Sequence, residues 1–203
     1  MRKAGFMNWL EKLFINSSLH SVELRHFARF MLQAGGDVKG GRVMEIGCGR
    51  GIGVDVLFDL FGASYVEAFD YDPGQVRLAE KHLLPRYNDK VRIYEASATQ
   101  IPSPDSQFDA VFDFGALHHI PENQSAINEV ARVLKPGGRF FFQEPLSSIT
   151  RNPAFRFLFG DLAEAQFSWA ELTAKLATSG LTVTKDSCSV KSVWVVGVAR
   201  KSA

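Results

Sequence analysis

A strand that runs straight into a loop with glycine at every second position constrains this chain more than any other feature. The run Val43-Met44-Glu45-Ile46 leads into Gly47-Cys48-Gly49-Arg50-Gly51-Ile52-Gly53, and a helical pattern follows at about 53–61. Glycine has no Cβ, so such a loop can turn tightly and bring its backbone against a ligand. A strand, a glycine loop and a helix N-terminus in that order are how open α/β folds hold nucleotide-like molecules.

Three residues narrow the ligand. The dinucleotide spacing Gly-x-Gly-x-x-Gly, counted from Gly47 and Gly49, needs glycine at position 52, where Ile52 stands. Glu45 sits at the mouth of the loop, where a pyrophosphate would meet its negative charge and a cation would be welcome. The second apolar run, Tyr65-Val66-Glu67-Ala68-Phe69, ends at Asp70, 23 residues after Gly47. That is close to the spacing of ~20 residues at which an acidic side chain grips a ribose diol. A ligand with a ribose, a cationic end and no large anionic bridge satisfies all three, and S-adenosyl-L-methionine is such a molecule. A nicotinamide-linked oxidoreductase is the competing reading, and Ile52 stands against it.

The wider pattern is an alternation of strands and helices. Apolar, β-branched or aromatic runs mark strands at about 42–46, 65–70, 91–95, 109–114 and 139–144, with helical periodicity at about 53–61, 73–84 and 123–134. Pro73 and Pro121 stand at helix starts, and Lys135-Pro136-Gly137-Gly138 reads as a stop and a turn. Such alternation implies a parallel sheet with right-handed crossovers. A further helix over Ser168 to about Ser179 precedes two strands, near 181–187 and 192–199, too closely spaced for a crossover and therefore antiparallel. Ahead of the first strand, Phe6, Met7, Leu10, Leu13 and Phe14, then Phe27, Phe30, Met31 and Ala34, predict two helices that end at Gly35-Gly36.

The run Glu45 through Gly51 resembles motif I, E-x-G-x-G-x-G, of the class I S-adenosylmethionine-dependent methyltransferases. Further blocks follow in that family's order: Ala68-Phe69-Asp70-Tyr71-Asp72-Pro73, Gln107-Phe108-Asp109-Ala110-Val111 with Ala116-Leu117-His118-His119-Ile120, and Val133-Leu134-Lys135-Pro136-Gly137-Gly138-Arg139-Phe140. The resemblance implies a three-layer, doubly wound α/β sheet of seven mostly parallel strands ordered 3-2-1-4-5-7-6, with strand 7 antiparallel. It implies S-adenosyl-L-methionine as cofactor and methyl transfer as the activity.

The resemblance also assigns residues. Gly47, Gly49 and Gly51 wrap the methionine part and ribose. Glu45 holds loop amides, sits near the ammonium, or braces the loop. Asp70 accepts hydrogen bonds from the ribose hydroxyls, the alternative being a helix N-cap, which Asp72 fills better; Tyr71 stands beside it. Similar methyltransferases place an acidic residue after strand three to meet the adenine amino group. Aligning Ile101-Pro102 puts Ser97 there, with the Ala98 amide next to an adenine ring nitrogen; Glu95 is the substitute in a register shifted by two. Asp113 and Phe114 end strand four at the methionine end of the cofactor. His118 and His119 pack, cap or act as general base, and Glu144 is the other candidate base, on the substrate side. Adjacent histidines lack the i, i+4 spacing that would hold a metal on one helical face, and none is predicted.

The length suits one domain over 1–203, by the resemblance a methyltransferase domain, with a helical segment at 1–40 and an insertion at 145–167. A formal net charge of +1 gives no pull toward nucleic acid, and no basic stripe is present. Two cysteines, Cys48 and Cys188, suit a reducing cytoplasm. No membrane-spanning run is evident. The insertion carries Asn152-Pro153 and then Phe155, Leu158, Phe159 and Leu162 at helical spacing. It packs on the domain or covers the cleft, and in the second case the acceptor is a small molecule with a hydrophobic body. The different class of answer is a catalytically weak, methyltransferase-like binding or regulatory protein.

Overall fold

The computed structural model describes residues 18–147, 167–190 and 194–202. The helix predicted over Phe6–Phe14 and the one predicted from Asn152 to Leu162 lie outside the described residues. The elements run α1 (Ser18–Gly35), β1 (Arg42–Ile46), α2 (Ile52–Asp59), β2 (Tyr65–Asp70), α3 (Pro73–Tyr87), β3 (Val91–Glu95), β4 (Phe108–Phe114), α4 (Asn123–Val133), β5 (Leu134–Pro145), α5 (Trp169–Thr178), β6 (Leu181–Val190) and β7 (Trp194–Lys201). All seven strands form one sheet ordered β3-β2-β1-β4-β5-β7-β6. The pairs among β1 to β5 are parallel, and β7 is antiparallel to both its neighbours. The order expected from the resemblance is the order observed.

Alternation along each strand divides the core between the two faces. Met44, Ile46, Val111, Phe140 and Phe142 pack with Ile127 and Val130 of α4 and Leu172 and Leu176 of α5. Val43, Ala110, Phe112 and Phe141 pack on the other face, against Met31 of α1, Val56 of α2 and Leu83 of α3. Phe112 and Phe141, on neighbouring strands, stack with centroids 4.4 Å apart and rings 4° from parallel. Burial of this kind contributes ~25 cal/mol per Å² of apolar surface, the main term favouring the fold.

Local chemistry sets the helix ends. Asp72 caps α3 by accepting from the Gly74 amide at 2.8 Å, and Pro73 follows in the first turn, where its missing N–H costs nothing. Ser168 and Glu171 form a reciprocal capping box on α5. Two elements differ from the sequence expectation. Helix α3 continues through Pro85 to Tyr87, because the Tyr87 hydroxyl donates to Asp55 at 2.8 Å and its ring stacks on Phe58 at 4.1 Å. Strand β5 begins at Leu134, before the expected turn. The turn survives as a register jump: Phe108 pairs with Leu134, but Ala110 already pairs with Arg139.

Candidate functional site

The carboxyl ends of β1 to β4 open onto one cleft of about 390 Å³, the location at which parallel α/β sheets bind ligands. Its walls come from the glycine loop after β1, the end of β2, the segment after β3 and the segment after β4, with Leu24 of α1 adding one apolar side chain. Glu45, Gly47, Gly49, Asp70, Tyr71, Ser97, Ala98 and Phe114 all line it.

The loop is tied to β2. The Cys48 amide donates to the Phe69 carbonyl and the Gly49 amide to Asp70 Oδ2, both at 2.9 Å. Asp70 Oδ1 accepts from the Asp72 amide at 2.9 Å. Asp70 therefore fixes the loop and the start of α3 relative to each other while lining the cleft. A carboxylate can accept about four hydrogen bonds, so bracing and ligand binding are compatible. Gly47 has φ +65°, and a Cβ there would collide with Ala116 beside it in the cleft wall.

Glu45 is 2% exposed, and its Oε2 has no hydrogen-bond partner among the described residues. Gly53, in the first turn of α2, packs against this carboxyl so closely that a Cβ would strike it. Burial, then the neighbouring Asp70, Asp55 and Asp113, push the Glu45 carboxyl well above the usual carboxylate range. An orphaned buried acceptor in an acidic surround, facing a cleft, suits a cationic ligand. Cys48 is buried, and burial and Glu45 push its thiol well up, so it serves as a small neutral side chain.

Several expected residues lie elsewhere. Gly51 does not line the cleft: it has φ +91°, and a Cβ there would lie 2.5 Å from Leu83 Cδ1, so its small size serves the packing of α3. Asp113 is fully buried away from the cleft, because its Oδ1 turns back to accept from the Ala116 amide at 2.7 Å. Glu144 is also fully buried and outside the cleft lining. Its Oε1 accepts from the Leu117 amide at 2.9 Å, and its Oε2 accepts from the His118 amide at 3.3 Å and pairs with His118 Nδ1 at 2.8 Å. Glu95 is exposed and outside the lining.

Asp113 and Glu144 face each other below the segment after β4. Asp113 Oδ2 finds no donor among the described residues, and Glu144 is the acid beside it. Burial, then Glu144, raise the Asp113 carboxyl well above its ordinary range, while burial lifts Glu144 to about 7. Burial also lowers His118 to about 4 and His119 well below its usual value. Both imidazoles are thus neutral at pH 7, and their rings sit 3.9 Å apart by centroids. Of these four groups, only the half-buried His119 reaches the cleft.

Sequence reasoning did not single out Thr99 or Leu24. Thr99 was visible as a second hydroxyl two residues beyond Ser97, a spacing that makes a side-chain turn. Leu24 reaches the cleft only through the tertiary placement of α1.

A "Methyltransferase domain" family model matches residues 44–142. A Mycolicibacterium smegmatis protein named "Probable S-adenosylmethionine-dependent methyltransferase" is 33% identical over 141 residues, covering 70% of this chain and 52% of that protein. The fatty-acid O-methyltransferase of the same organism is 32% identical over 126 residues, covering 62% of this chain and 43% of its own length. The chain spans about half the length of the curated relatives it matches. A crystal structure of a SAM-dependent methyltransferase from Aquifex aeolicus superposes with a TM-score of 0.77 at 19% identity, covering 96% of this chain and 99% of that one, which shows a shared fold. The glycine loop, the strand order and these relatives together make the chain a member of the class I S-adenosylmethionine-dependent methyltransferases, with S-adenosyl-L-methionine as its cofactor.

Proposed function

We propose that this protein transfers a methyl group from S-adenosyl-L-methionine to a small-molecule acceptor with a hydrophobic body. The observation that carries this is the cleft's division. Its β1–β2 side offers the carboxyls of Glu45 and Asp70, whereas Phe114, Ile120, Pro121 and Leu24 line it apolarly. Glu45 opposes the cofactor's ammonium, Asp70 accepts from the ribose hydroxyls, and Gly47 and Gly49 let the backbone approach. Tyr71 closes the ribose side, Phe114 the methionine side, and Ser97 and Ala98 the base end.

When bound, the cofactor supplies a sulfonium whose methyl group is strongly electrophilic. The protein's part is then to hold an acceptor in line with it and to keep water out. An acceptor hydroxyl must also lose its proton, and His119, neutral and in the cleft wall, is the base placed to take it. Glu144, His118 and Asp113 act one layer back, as anchors of the segment that carries His119. Similarity to a fatty-acid O-methyltransferase supports an acceptor with a hydrocarbon body. The near-zero net charge argues against nucleic acid. We further propose that 1–203 is one domain and that the protein resides in the cytoplasm, in keeping with its two free cysteines.

The test is a calorimetric titration with the cofactor, followed by a methyl-transfer panel of long-chain carboxylic acids, phenols, polar amines and RNA. Methylation of the hydrophobic small molecules is expected. Methylation of the polar amines or RNA alone would overturn the assignment.

A further inference from the structure

The described cleft wall holds one arginine, and that arginine has no partner. Arg50, between Gly49 and Gly51 in the loop after β1, is the only lysine or arginine among the described residues that line the cleft. It is half-buried, its Nε is shut off from solvent without a hydrogen-bond partner, and its guanidinium makes no hydrogen bond or ion pair among the described residues. Every other half-buried arginine among the described residues is engaged. Arg25 pairs with Asp59, Arg42 with Glu67, and Arg132 with Glu129 and Asp105, while Arg139 donates to the carbonyls of Gly35 and Asp37. Arg42 also has an orphaned Nε, but Glu67 takes the other end of its fork.

A guanidinium presents five donors in a fixed plane and keeps its charge at any physiological pH. Half-buried and unpaired it is costly, so the wall at Arg50 marks where an acceptor of opposite charge belongs. The surroundings say which anion. Asp70 and Glu122 also line the cleft, so a dianion would meet repulsion that one arginine cannot offset. A carboxylate brings a single charge and two oxygens that match the fork. Ile52, two residues on, and Leu24 of α1 line the same cleft and offer apolar surface to a body behind such a head.

That carboxylate could belong to the cofactor or to the acceptor. In the cofactor it is attached to the carbon that bears the ammonium, so in the placement given above it would sit beside Glu45. The charged side chains that act on Glu45 are Asp70, Asp55 and Asp113, and no basic group offsets them. The guanidinium therefore lies away from Glu45 and from the ammonium end of the cofactor.

We propose that Arg50 selects the methyl acceptor by holding a carboxylate at one end of a hydrophobic small molecule. This rests on the hydrophobic acceptor given under Proposed function. An uncharged acceptor of the same shape leaves the guanidinium unpaired in the cleft wall, and that difference makes the selection.

The experiment is calorimetric binding of two matched pairs, dodecanoic acid with dodecanol and naphthoic acid with naphthylmethanol, to the protein saturated with S-adenosylhomocysteine near neutral pH. In the native protein the acid of at least one pair should bind at least roughly tenfold more tightly than its alcohol, the scale of a hydrogen bond to a charged group. Arg50→Gln should bring that acid and alcohol within about threefold of each other, and Arg50→Lys, a point charge without the fork, should keep part of the preference. S-adenosylhomocysteine should bind Arg50→Gln within about threefold of its native affinity. A native protein without the preference overturns the proposal whether or not the variants fold, and a preference that survives in Arg50→Gln overturns it as well. A loss of roughly tenfold in S-adenosylhomocysteine affinity in Arg50→Gln would assign the guanidinium to the cofactor's own carboxylate and overturn it too. Failure of the underlying reading looks different: no member of either pair binds, and the hydrophobic acceptor falls with everything built on it.

Discussion

At the scale of single residues, the cleft presents two carboxyls in different environments. Asp70 is braced by the Gly49 and Asp72 amides, so its place is fixed before any ligand arrives. Asp70→Ala should weaken cofactor binding by roughly 1.5–3 kcal/mol, the range for hydrogen bonds to a charged group; an unchanged dissociation constant would remove Asp70 from the ribose. Glu45 is the opposite case, a buried carboxyl with an orphaned oxygen and a strongly raised proton affinity. A cationic group in the cleft favours its ionised form, so binding should release a proton into buffer. Titrations in two buffers of different ionisation enthalpy should then give different apparent enthalpies, and Glu45→Gln should abolish the difference. Affinity should rise with pH until Glu45 is ionised in the ligand-free protein. Buffer-independent enthalpies in the native protein would mean that Glu45 does not titrate on binding. The sequence revealed both residues because each ends a strand beside the glycine loop. It could not show that Asp70 lines the cleft and Asp113 does not, since both are acidic residues near the ends of parallel strands. What turns Asp113 away from the cleft is its contact with Ala116 and Glu144, which only the packed sheet brings together.

Among elements, strands were the legible part, because each central strand is buried on both faces and so reads as a continuous apolar run. The glycines of the β1–α2 loop look alike in sequence, yet they answer to different neighbours. Gly47 clears Ala116 at the cleft wall, whereas Gly51 clears Leu83 of α3. Gly51→Ala combines a positive φ with a 2.5 Å approach to a fully buried leucine and should destabilise the protein by roughly 1–3 kcal/mol. Trimming the partner in Gly51→Ala/Leu83→Ala should cost less than the sum of the two single changes, because the collision disappears. Additive losses in denaturant melts would show that α3 does not rest on this glycine. The extension of α3 past Pro85 was hidden for the same kind of reason. Its cause is Asp55 and Phe58 on another helix, and local propensity carries no trace of them.

At the scale of the whole molecule, two half-cores share one sheet, and the segment that closes the cleft hangs from buried ionisable groups between β4 and β5. Those groups make the stability of the ligand-free protein depend on pH in two opposed ways. His118 is lowered to about 4 from 6.5, so the unfolded chain binds more protons between those values, and its contribution is lost as pH falls from 6.5 toward 4. Glu144 is raised to about 7 from 4.5, so the folded chain binds more protons there, and its contribution is lost as pH rises from 4.5 toward 7. Each contributes at most about 1.4 kcal/mol per pH unit within its window, and the windows overlap, so the native protein partly hides both. Single substitutions should expose them with opposite signs. Relative to His118→Asn, whose amide can still donate to Glu144, the native protein should gain stability from pH 4.5 to 6.5. Relative to Glu144→Gln it should lose stability over the same range. Denaturant melts of the three proteins at pH 4.5, 5.5 and 6.5 measure both differences. Two differences with the same slope, or none, would mean that the anchor beneath the cleft does not hold a neutral imidazole against a protonated acid pair.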